Sequence, residues 1–300
     1  MVTCIGNIGK VGITKLEITA FNQQINAIVV NDNFIPRYIG YNLLFNKKRL
    51  EFIANAPVVP IVNKKDFSEF KIKVLLDKNK QNDIVTILDC VSSLIENNKK
   101  ILEGLDYLIK GRFVEMFGNP LEITKESRYM KEFLTINPLK RELSDKEDIM
   151  VSFVPMENVG EDGSFSIKEE GPISNYNKGY TYFKDGDVLL AKITPCFENG
   201  KIAIAKNCKN GVGFGSTEFH VFRCDNRLCD PVWVKYLLKN EHVHEYAKIN
   251  MTGSAGQKRI QKSFFENLRT ILPNLDVQNQ FADFVRQIDK SKVVCKEILR

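Results

Sequence analysis

Two short stretches of polar and basic residues carry the side chains best suited to binding chemistry. The first surrounds a turn that contains glycine and includes Lys192, Thr194, Phe197, Glu198, Asn199 and Lys201. The second is the basic segment 252–259, with Ser254, Gln257, Lys258 and Arg259. Lysine and arginine contact phosphate oxygens and amide side chains contact base edges, so together the stretches predict a DNA-contact surface. Each stretch alone is more typical of an ordinary solvated loop, and it is their occurrence in one repeat unit that favours DNA.

Patterns typical of catalysis are missing from the sequence. No glycine-rich loop ends in Gly-Lys-Ser/Thr, and the glycines of segment 211–215 lack the spacing of a dinucleotide site, so we interpret them as a loop between strands. Asn119-Pro120 is followed by Leu121, which does not match the Asn-Pro-Pro-aromatic segment that holds a flipped base for methyl transfer. The sequence therefore predicts no catalytic residue and no cofactor.

The histidines and cysteines do not form a metal-site pattern. His242 and His244 lie two residues apart in a predicted helix and so point to different faces. The seven cysteines are scattered without a Cys-x-x-Cys pair, which fits neither a zinc site nor a disulfide framework. Cys196 has no paired histidine that would activate it. We expect no metal site and reduced thiols.

Composition favours a globular, cytoplasmic protein. The chain has 300 residues, 43% of them hydrophobic and 27% charged, which is enough for one or two domains with a real core. The net charge of +6 is compatible with phosphate contacts but is too small to establish a nucleic-acid partner. Neither a secretory signal nor an apolar run of membrane-spanning length is evident.

An internal repeat with a domain-scale separation of roughly 190–200 residues organises the chain. Segments 8–13 and 199–204 both predict a β-hairpin with glycine at the turn. Pro36 and Pro231 each begin a predicted helix, where the missing N–H of proline does least harm. Further blocks recur in the same order: 24–30 with 218–222, 65–67 with 262–264, and 81–84 with 278–281. Such ordered recurrence indicates duplication.

A long helix follows the first copy, and a similar helix begins after the second. Apolar residues with the three-four spacing of a coiled coil predict a seam, in which Asn98 is the polar position: Ile84, Val91, Leu94, Asn98, Ile101, Leu105 and Leu108. We expect the two helices to pair antiparallel, with Asn98 helping to set the register. The alternative is two amphipathic helices packed on different cores.

Four segments follow from these signals, and the predicted fold class is α+β. Residues 1–78 form the C-terminal part of a first mixed α/β domain and 79–118 a central helix, which Gly118 and the following Asn-Pro end. Residues 119–275 form a second domain with strands at 151–155, 187–193, 201–205 and 218–223 and helices at 231–249 and 262–267. Residues 276–300 begin a second long helix.

Several motifs occur together in this chain: segments 151–159 and 186–193, Gly253-Ser254 with Gln257–Ile260, Leu272-Pro273 with Gln278, and segment 110–118 at the end of the long helix. This combination resembles one known family, the DNA-specificity (S) subunit of type I restriction-modification enzymes. The similarity covers essentially the whole chain, although each motif is loose when taken alone.

This resemblance implies two target-recognition domains, each of which reads half of a split DNA site, held apart by two antiparallel helices. It also implies a subunit without catalysis of its own. Such a subunit docks methylation subunits, which use S-adenosylmethionine, and restriction subunits, which hydrolyse ATP. On this comparison the second domain is complete, the first lacks its early strands and the second helix breaks off, so recognition by residues 1–78 is in question.

Three other functions are compatible with the same residues. The chain could be the specificity part of a fused methyltransferase-nuclease, whose catalytic region lies on other sequence. It could be a silent cassette that recombines with a complete copy. It could also be a structural coiled-coil protein that does not bind DNA, in which case binding that weakens with salt would be absent.

Overall fold

The computed structural model describes residues 1–54, 59–140, 148–176, 178–254 and 256–299. These residues form two compact units, the first containing 1–100 with Leu299 and the second containing 101–298. Strands and helices are mixed in both units. The predicted fold class, α+β with a duplicated domain followed by a long helix, is confirmed.

The first unit is a small sheet covered by helices. Strands β1 and β2 pair antiparallel, and α1 begins with Pro36 in its first turn, as its sequence predicts. The core consists of buried apolar residues, namely Val2, Cys4, Ile8, Leu43, Leu50 and Val62. The elements are β1 (Val2–Thr3), β2 (Ile25–Asn26), α1 (Pro36–Phe45), α2 (Lys47–Phe52), α3 (Lys64–Glu69) and the start of α4 (Lys78–Phe117).

The second unit contains two four-stranded sheets, with strand orders β6-β5-β10-β7 and β4-β11-β8-β9, and a two-stranded sheet of β12 and β3. Its strands are β3 (Ser127–Tyr129), β4 (Leu134–Ile136), β5 (Met150–Val154), β6 (Glu169–Pro172), β7 (Thr181–Lys184), β8 (Val188–Ala191), β9 (Ile202–Ile204), β10 (Val212–Gly215), β11 (Phe219–Cys224) and β12 (Arg269–Ile271). Its further helices are α5 (Pro231–Lys239), α6 (Glu241–Ile249), α7 (Lys262–Asn267) and α8 (Leu275–Ile298).

Strands β8 and β11 lie in the middle of their sheet and carry the site described below. All four residues of β8 are buried, as expected for an unbroken apolar run covered on both faces. The main core lies beside them, around Trp233, Phe222 and Phe281. Asp187, just before β8, accepts two hydrogen bonds from Arg223 of β11, which fixes the two strands at this end.

Two local predictions for the second domain are wrong. Segment 211–215 is not a loop between strands, because Val212–Gly215 forms the buried strand β10. The ring of Phe183 lies so close to Gly213 that a side chain there would collide with it. The predicted helix 231–249 is two helices, separated at Asn240, whose side chain caps α6 by accepting from the N–H of His242.

The two long helices run antiparallel within the second unit. Asp106 of α4 contacts Lys292 of α8, with 2.6 Å between carboxylate and ammonium. Further along α4, Phe113 packs edge-on against Phe281, with 5.4 Å between ring centroids. Contacts that advance along α4 therefore move back along α8, as the predicted pairing requires.

The buried face of this part of α4 differs from the predicted seam. Ile109, Phe113 and Phe117 are buried, whereas the seam residues Ile101 and Leu108 are each 50% exposed. The buried residues are four apart and lie on one stripe of the helix. A coiled-coil seam repeats every 3.5 residues, whereas a straight helix has 3.6 residues per turn, so the buried stripe and the predicted seam diverge along the helix. Leu105, four residues before Ile109, belongs both to the predicted seam and to the buried stripe, and it is half-buried.

The seam residues in the first unit differ among themselves in burial. Asn98 is buried and donates to the carbonyl oxygen of Leu94 in its own helix, while Ile84 is half-buried. Val91 and Leu94 are 46% and 53% exposed. That these residues pair with another helix therefore stays a prediction.

A buried glutamine at the start of each long helix supports the duplication in atomic detail. The side-chain oxygen of Gln81 accepts from the N–H of Ile35 just before α1, and that of Gln278 accepts from the N–H of Asp230 just before α5. Each amide group also donates to two backbone carbonyls, those of Asn33 and Leu75 for Gln81 and those of Leu228 and Pro273 for Gln278. The same residue thus locks the same three chain segments in both copies.

One block of the repeat is displaced by a residue from its predicted alignment. Helices α3 and α7 each contain six residues and begin at Lys64 and Lys262. Phe67 therefore corresponds to the buried Phe265 and not to Phe264.

No helix among the described residues combines the length and the apolar composition that a bilayer crossing requires.

Candidate nucleic-acid interface

The first predicted cluster lies on the hairpin that joins β8 to β9. The N–H of Lys192 donates to the carbonyl of Glu218, just before β11, at 2.8 Å, so the hairpin starts from a fixed position. Gly200 makes the turn with φ of 71°, a value that glycine adopts without strain. Asn199 is exposed beside this turn, while Lys192 and Thr194 are half-buried.

Phe197 is predicted to contact DNA, but its side chain belongs to the core and is not available for such a contact. Only 1% of the residue is exposed. Its ring stacks on the imidazole of His244 with 4.7 Å between centroids, and the Nε2 atom of His244 lies 2.9 Å from the Phe197 carbonyl oxygen. An aromatic residue in a turn does not by itself reveal which way the ring points. Phe197 anchors the hairpin from beneath.

The second cluster lies directly against the first. The N–H of Thr194 donates to the Lys258 carbonyl at 3.0 Å, and the N–H of Lys258 donates to the Thr194 hydroxyl at 3.1 Å. The N–H of Ile260 then donates to the carbonyl of Lys192 at 3.0 Å. Two stretches that are more than fifty residues apart in sequence therefore form one surface.

Arg259 braces this surface through an ion pair that the sequence does not reveal. Its Nε and Nη2 atoms donate to the two carboxylate oxygens of Glu218 at 3.0 and 2.9 Å, and its Nη1 donates to the Gln257 carbonyl. Hydrogen bonding from Arg259 holds the pKa of the Glu218 carboxyl below its usual value, and the nearby Lys192 charge adds to the effect. Three nitrogens of Arg259 already have acceptors within the chain.

The most accessible side chains of the surface lie in the basic segment. Ser254, Gln257 and Lys258 are exposed, whereas Lys201 is half-buried and donates to the carbonyl of Met156 at 3.2 Å. Lys258 presents a positive charge and Gln257 presents a donor and an acceptor beside it. Such a pair can hold a phosphate and contact a base edge at once.

His220 supports the surface from the core in its neutral form. Its Nε2 atom lies 2.9 Å from the carbonyl oxygen of Ile260, which accepts from it, and its Nδ1 atom lies 3.1 Å from the amide of Asn137. Burial lowers the pKa of His220 to about 4, and the charge of Lys192 acts in the same direction. Both ring nitrogens of His220 therefore have partners within the core.

The second unit should lose stability in mild acid because His220 is buried in its neutral form. An unfolded histidine binds a proton near pH 6.5, and the folded one does so only near 4. The stabilisation by neutral His220 is therefore complete above pH 6.5 and is lost as the pH falls through this range, about 3 kcal/mol in all.

The stability difference between the wild type and His220→Asn isolates this loss from the titration of carboxylates. Fluorescence of Trp233, the single tryptophan, reports urea unfolding of the second unit. We expect the advantage of the wild type over the variant to shrink from pH 7 to pH 4. A difference that stays constant with pH would contradict the assignment.

Metal-ligand geometry is absent from the described ranges of the chain, where no three His, Cys, Asp or Glu side chains come close enough to hold an ion. His242 and His244 both lie on α6.

The family comparison agrees with the duplicated scaffold. A family model described as "Type I restriction modification DNA specificity domain" matches residues 1–107 and again residues 123–298. The chain belongs to this family. The two separate matches fall on the two copies of the repeat, so the type I DNA-specificity domain occurs twice in the chain.

Curated members of the family match part of the chain at high identity. The specificity subunit of the type I restriction enzyme EcoEI from Escherichia coli is 46% identical over 142 residues, 46% of this chain and 23% of that subunit. The specificity subunit of EcoAI from the same organism is 45% identical over 152 residues, 48% of this chain and 24% of that subunit. The matches thus span about a quarter of each relative.

Solved structures share the fold of this DNA-specificity chain. A type I restriction-modification S subunit from M. genitalium superposes with a TM-score of 0.50 over 99% of this chain and 77% of the other, at 13% identity. A chain from a structure described as "Structural basis underlying complex assembly and conformational transition of the type I R-M system" gives a TM-score of 0.53 over 89% of this chain and 66% of the other, also at 13% identity.

Proposed function

We propose that the chain is a non-catalytic DNA-specificity subunit that reads duplex DNA through its second unit. The observation that carries the proposal is the convergence of the β8–β9 hairpin and segment 252–259 on one exposed surface. Lys192 and Lys258 supply positive charge for phosphates, and Gln257 and Asn199 supply amides for base edges. Membership of the type I DNA-specificity family supports the same function.

The partners proposed for this chain are duplex DNA and the methylation and restriction subunits of a type I complex. In this proposal the DNA site is bipartite, and the 40-residue helix α4 acts as the spacer between its halves. Exposed apolar residues such as Val91, Leu94 and Ile101 then provide helix surface for assembly. Methyl transfer from S-adenosylmethionine and cleavage belong to the partner subunits, so the chain needs no cofactor of its own.

Substitution of the two exposed residues separates phosphate contact from base reading. Lys258→Ala should weaken binding to any duplex by about 3–10-fold and reduce the slope of log affinity against log salt by about one. Gln257→Ala should instead reduce the preference for the target over mixed sequence. Lys290→Ala, an exposed lysine on α8, is the matched control and should leave both quantities unchanged.

Fluorescence anisotropy with labelled duplexes, titrated at several salt concentrations, measures all three variants. Equal losses on target and mixed-sequence DNA for both Lys258→Ala and Gln257→Ala would contradict the assigned roles. Binding by the wild type that does not weaken with salt would contradict DNA contact altogether.

A further inference from the structure

The two copies share one hydrogen-bonded frame at the place where the second copy carries its candidate surface. Both hairpins turn through a glycine with positive φ, 78° at Gly9 and 71° at Gly200. Four hydrogen bonds from a backbone N–H to a carbonyl in the first copy each have a counterpart in the second. In the first copy they join Thr3 to Lys10, Cys4 to Gln24, Gly6 to Pro60 and Val62 to Cys4. In the same order, their counterparts join Ala191 to Lys201, Lys192 to Glu218, Thr194 to Lys258 and Ile260 to Lys192.

Bridge partners give the same alignment independently of these bonds. Ile5 pairs with Ile61 in the first copy, and Ile193 pairs with Arg259 in the second. Each residue of one surface therefore has a defined counterpart in the other. The same backbone hydrogen bonding is therefore present in both copies, in the strands, in the hairpin and in the segment that pairs with the hairpin.

Charge is not preserved on this shared frame. The counterparts of Lys192 and Thr194 are Cys4, which is only 3% exposed, and Gly6. Further pairs follow from the same alignment: Lys258 with Pro60, Arg259 with Ile61, and Glu218 with Gln24. Uncharged residues in the first copy thus stand in place of three cationic residues and of Glu218, the ion-pair partner of Arg259. Ile61, at the position of Arg259, is 38% exposed.

Uncharged residues cannot supply the contribution that counterion release makes to DNA binding. Each phosphate that a lysine or arginine neutralises releases condensed cations, which strengthens binding and makes it depend on salt. Proline and isoleucine have no charge for this, and Pro60 has no N–H to donate to a phosphate. Lys10, which corresponds to Lys201, is the cation retained among the compared positions.

We infer that the two copies are functionally unequal, and that at this surface DNA is contacted by the second copy while the first copy keeps the frame without the contact. The inference rests on the proposed function and assigns the surface contacts to one half of the duplication. The first copy then serves as a structural counterpart that carries the beginning of α4, and the other half of a bipartite site is contacted by the second unit of another copy of the chain.

Paired substitutions at corresponding positions test this asymmetry in the full chain. Binding to a fluorescein-labelled duplex of mixed sequence is measured by anisotropy over a range of salt concentrations. Lys192→Ala with Lys258→Ala should reduce the salt slope by about two. Pro60→Ala with Ile61→Ala, the corresponding change in the first copy, should leave affinity and slope unaltered. Circular dichroism checks that both proteins remain folded.

The same inference is tested by adding charged residues to the first copy and measuring a gain in DNA affinity. Pro60→Lys, Ile61→Arg and Gln24→Glu together install the basic residues and the brace on the first copy. We expect tighter binding and a salt slope greater by about one.

The outcomes distinguish failure of the inference from failure of the proposed function. A loss in the first-copy double variant as large as that in the second-copy variant would overturn the asymmetry and leave DNA binding intact. An unchanged transplant would overturn the idea that charge is what distinguishes the copies. Unchanged binding in the second-copy variant would instead overturn the proposed contact surface.

Discussion

Gln278→Ala is expected to lower the free energy of unfolding of the second unit by about 4 kcal/mol. The side chain is fully buried, and its oxygen accepts from the N–H of Asp230 at 3.0 Å. Its amide donates to the carbonyls of Leu228 and Pro273 at 3.0 and 2.8 Å. Alanine leaves three partly buried backbone groups without this partner and opens a cavity at the base of α8.

Gln280→Ala is the matched control for this variant, because it removes the same side chain from an exposed position on the same helix. Its effect should stay within about 0.5 kcal/mol. Urea denaturation followed by Trp233 fluorescence measures both proteins. If the two variants unfold at the same midpoint, Gln278 does not lock the segments around it.

Asp187→Ala should destabilise the second unit by about 3 kcal/mol, because it breaks a buried ion pair. The Asp187 side chain is 3% exposed and that of Arg223 is 20% exposed. The two carboxylate oxygens accept from Arg223 at 2.9 and 2.7 Å, and one also accepts from the N–H of Lys184 at 2.8 Å. The variant removes this countercharge at the start of β8, the strand that leads into the hairpin.

An exposed pair of the same geometry provides the control. Asp225 accepts from the Nε and Nη2 atoms of Arg227 at 3.0 and 2.8 Å, but the Arg227 side chain is 88% exposed. Ion pairs in water contribute little to stability, so Asp225→Ala should barely shift the unfolding midpoint. Similar shifts in the two variants would show that burial of the Asp187 pair does not determine its contribution.

Local patterns predict the elements whose signals are local. The Pro-initiated helices α1 and α5 and the glycine hairpins follow from residue type and spacing alone. Strand β10 does not, because its glycines resemble a loop until the ring of Phe183 is known to cover Gly213. The buried face of α4 differs from the predicted seam for a similar reason. The sequence has two apolar stripes on this helix, and packing against the rest of the unit determines which of them is buried.

The candidate site shows the same limit. Residue types predict Lys192, Gln257 and Lys258 as contact residues, and the structure brings their two segments together. Neither Glu218 nor the inward direction of Phe197 can be deduced, because the ion pair with Arg259 joins residues 41 positions apart and the ring is buried by a helix elsewhere in the chain.

Recognition of a specific DNA sequence is the property that defines the proposed function. It is tested most directly by co-expressing the chain with a methylation subunit and mapping methylated adenines in the host DNA by single-molecule sequencing. We expect methylation within a defined motif, with relaxed discrimination at one of its positions when Gln257 is replaced by alanine. A soluble, associated complex that methylates no defined motif would contradict a role of this chain in sequence recognition.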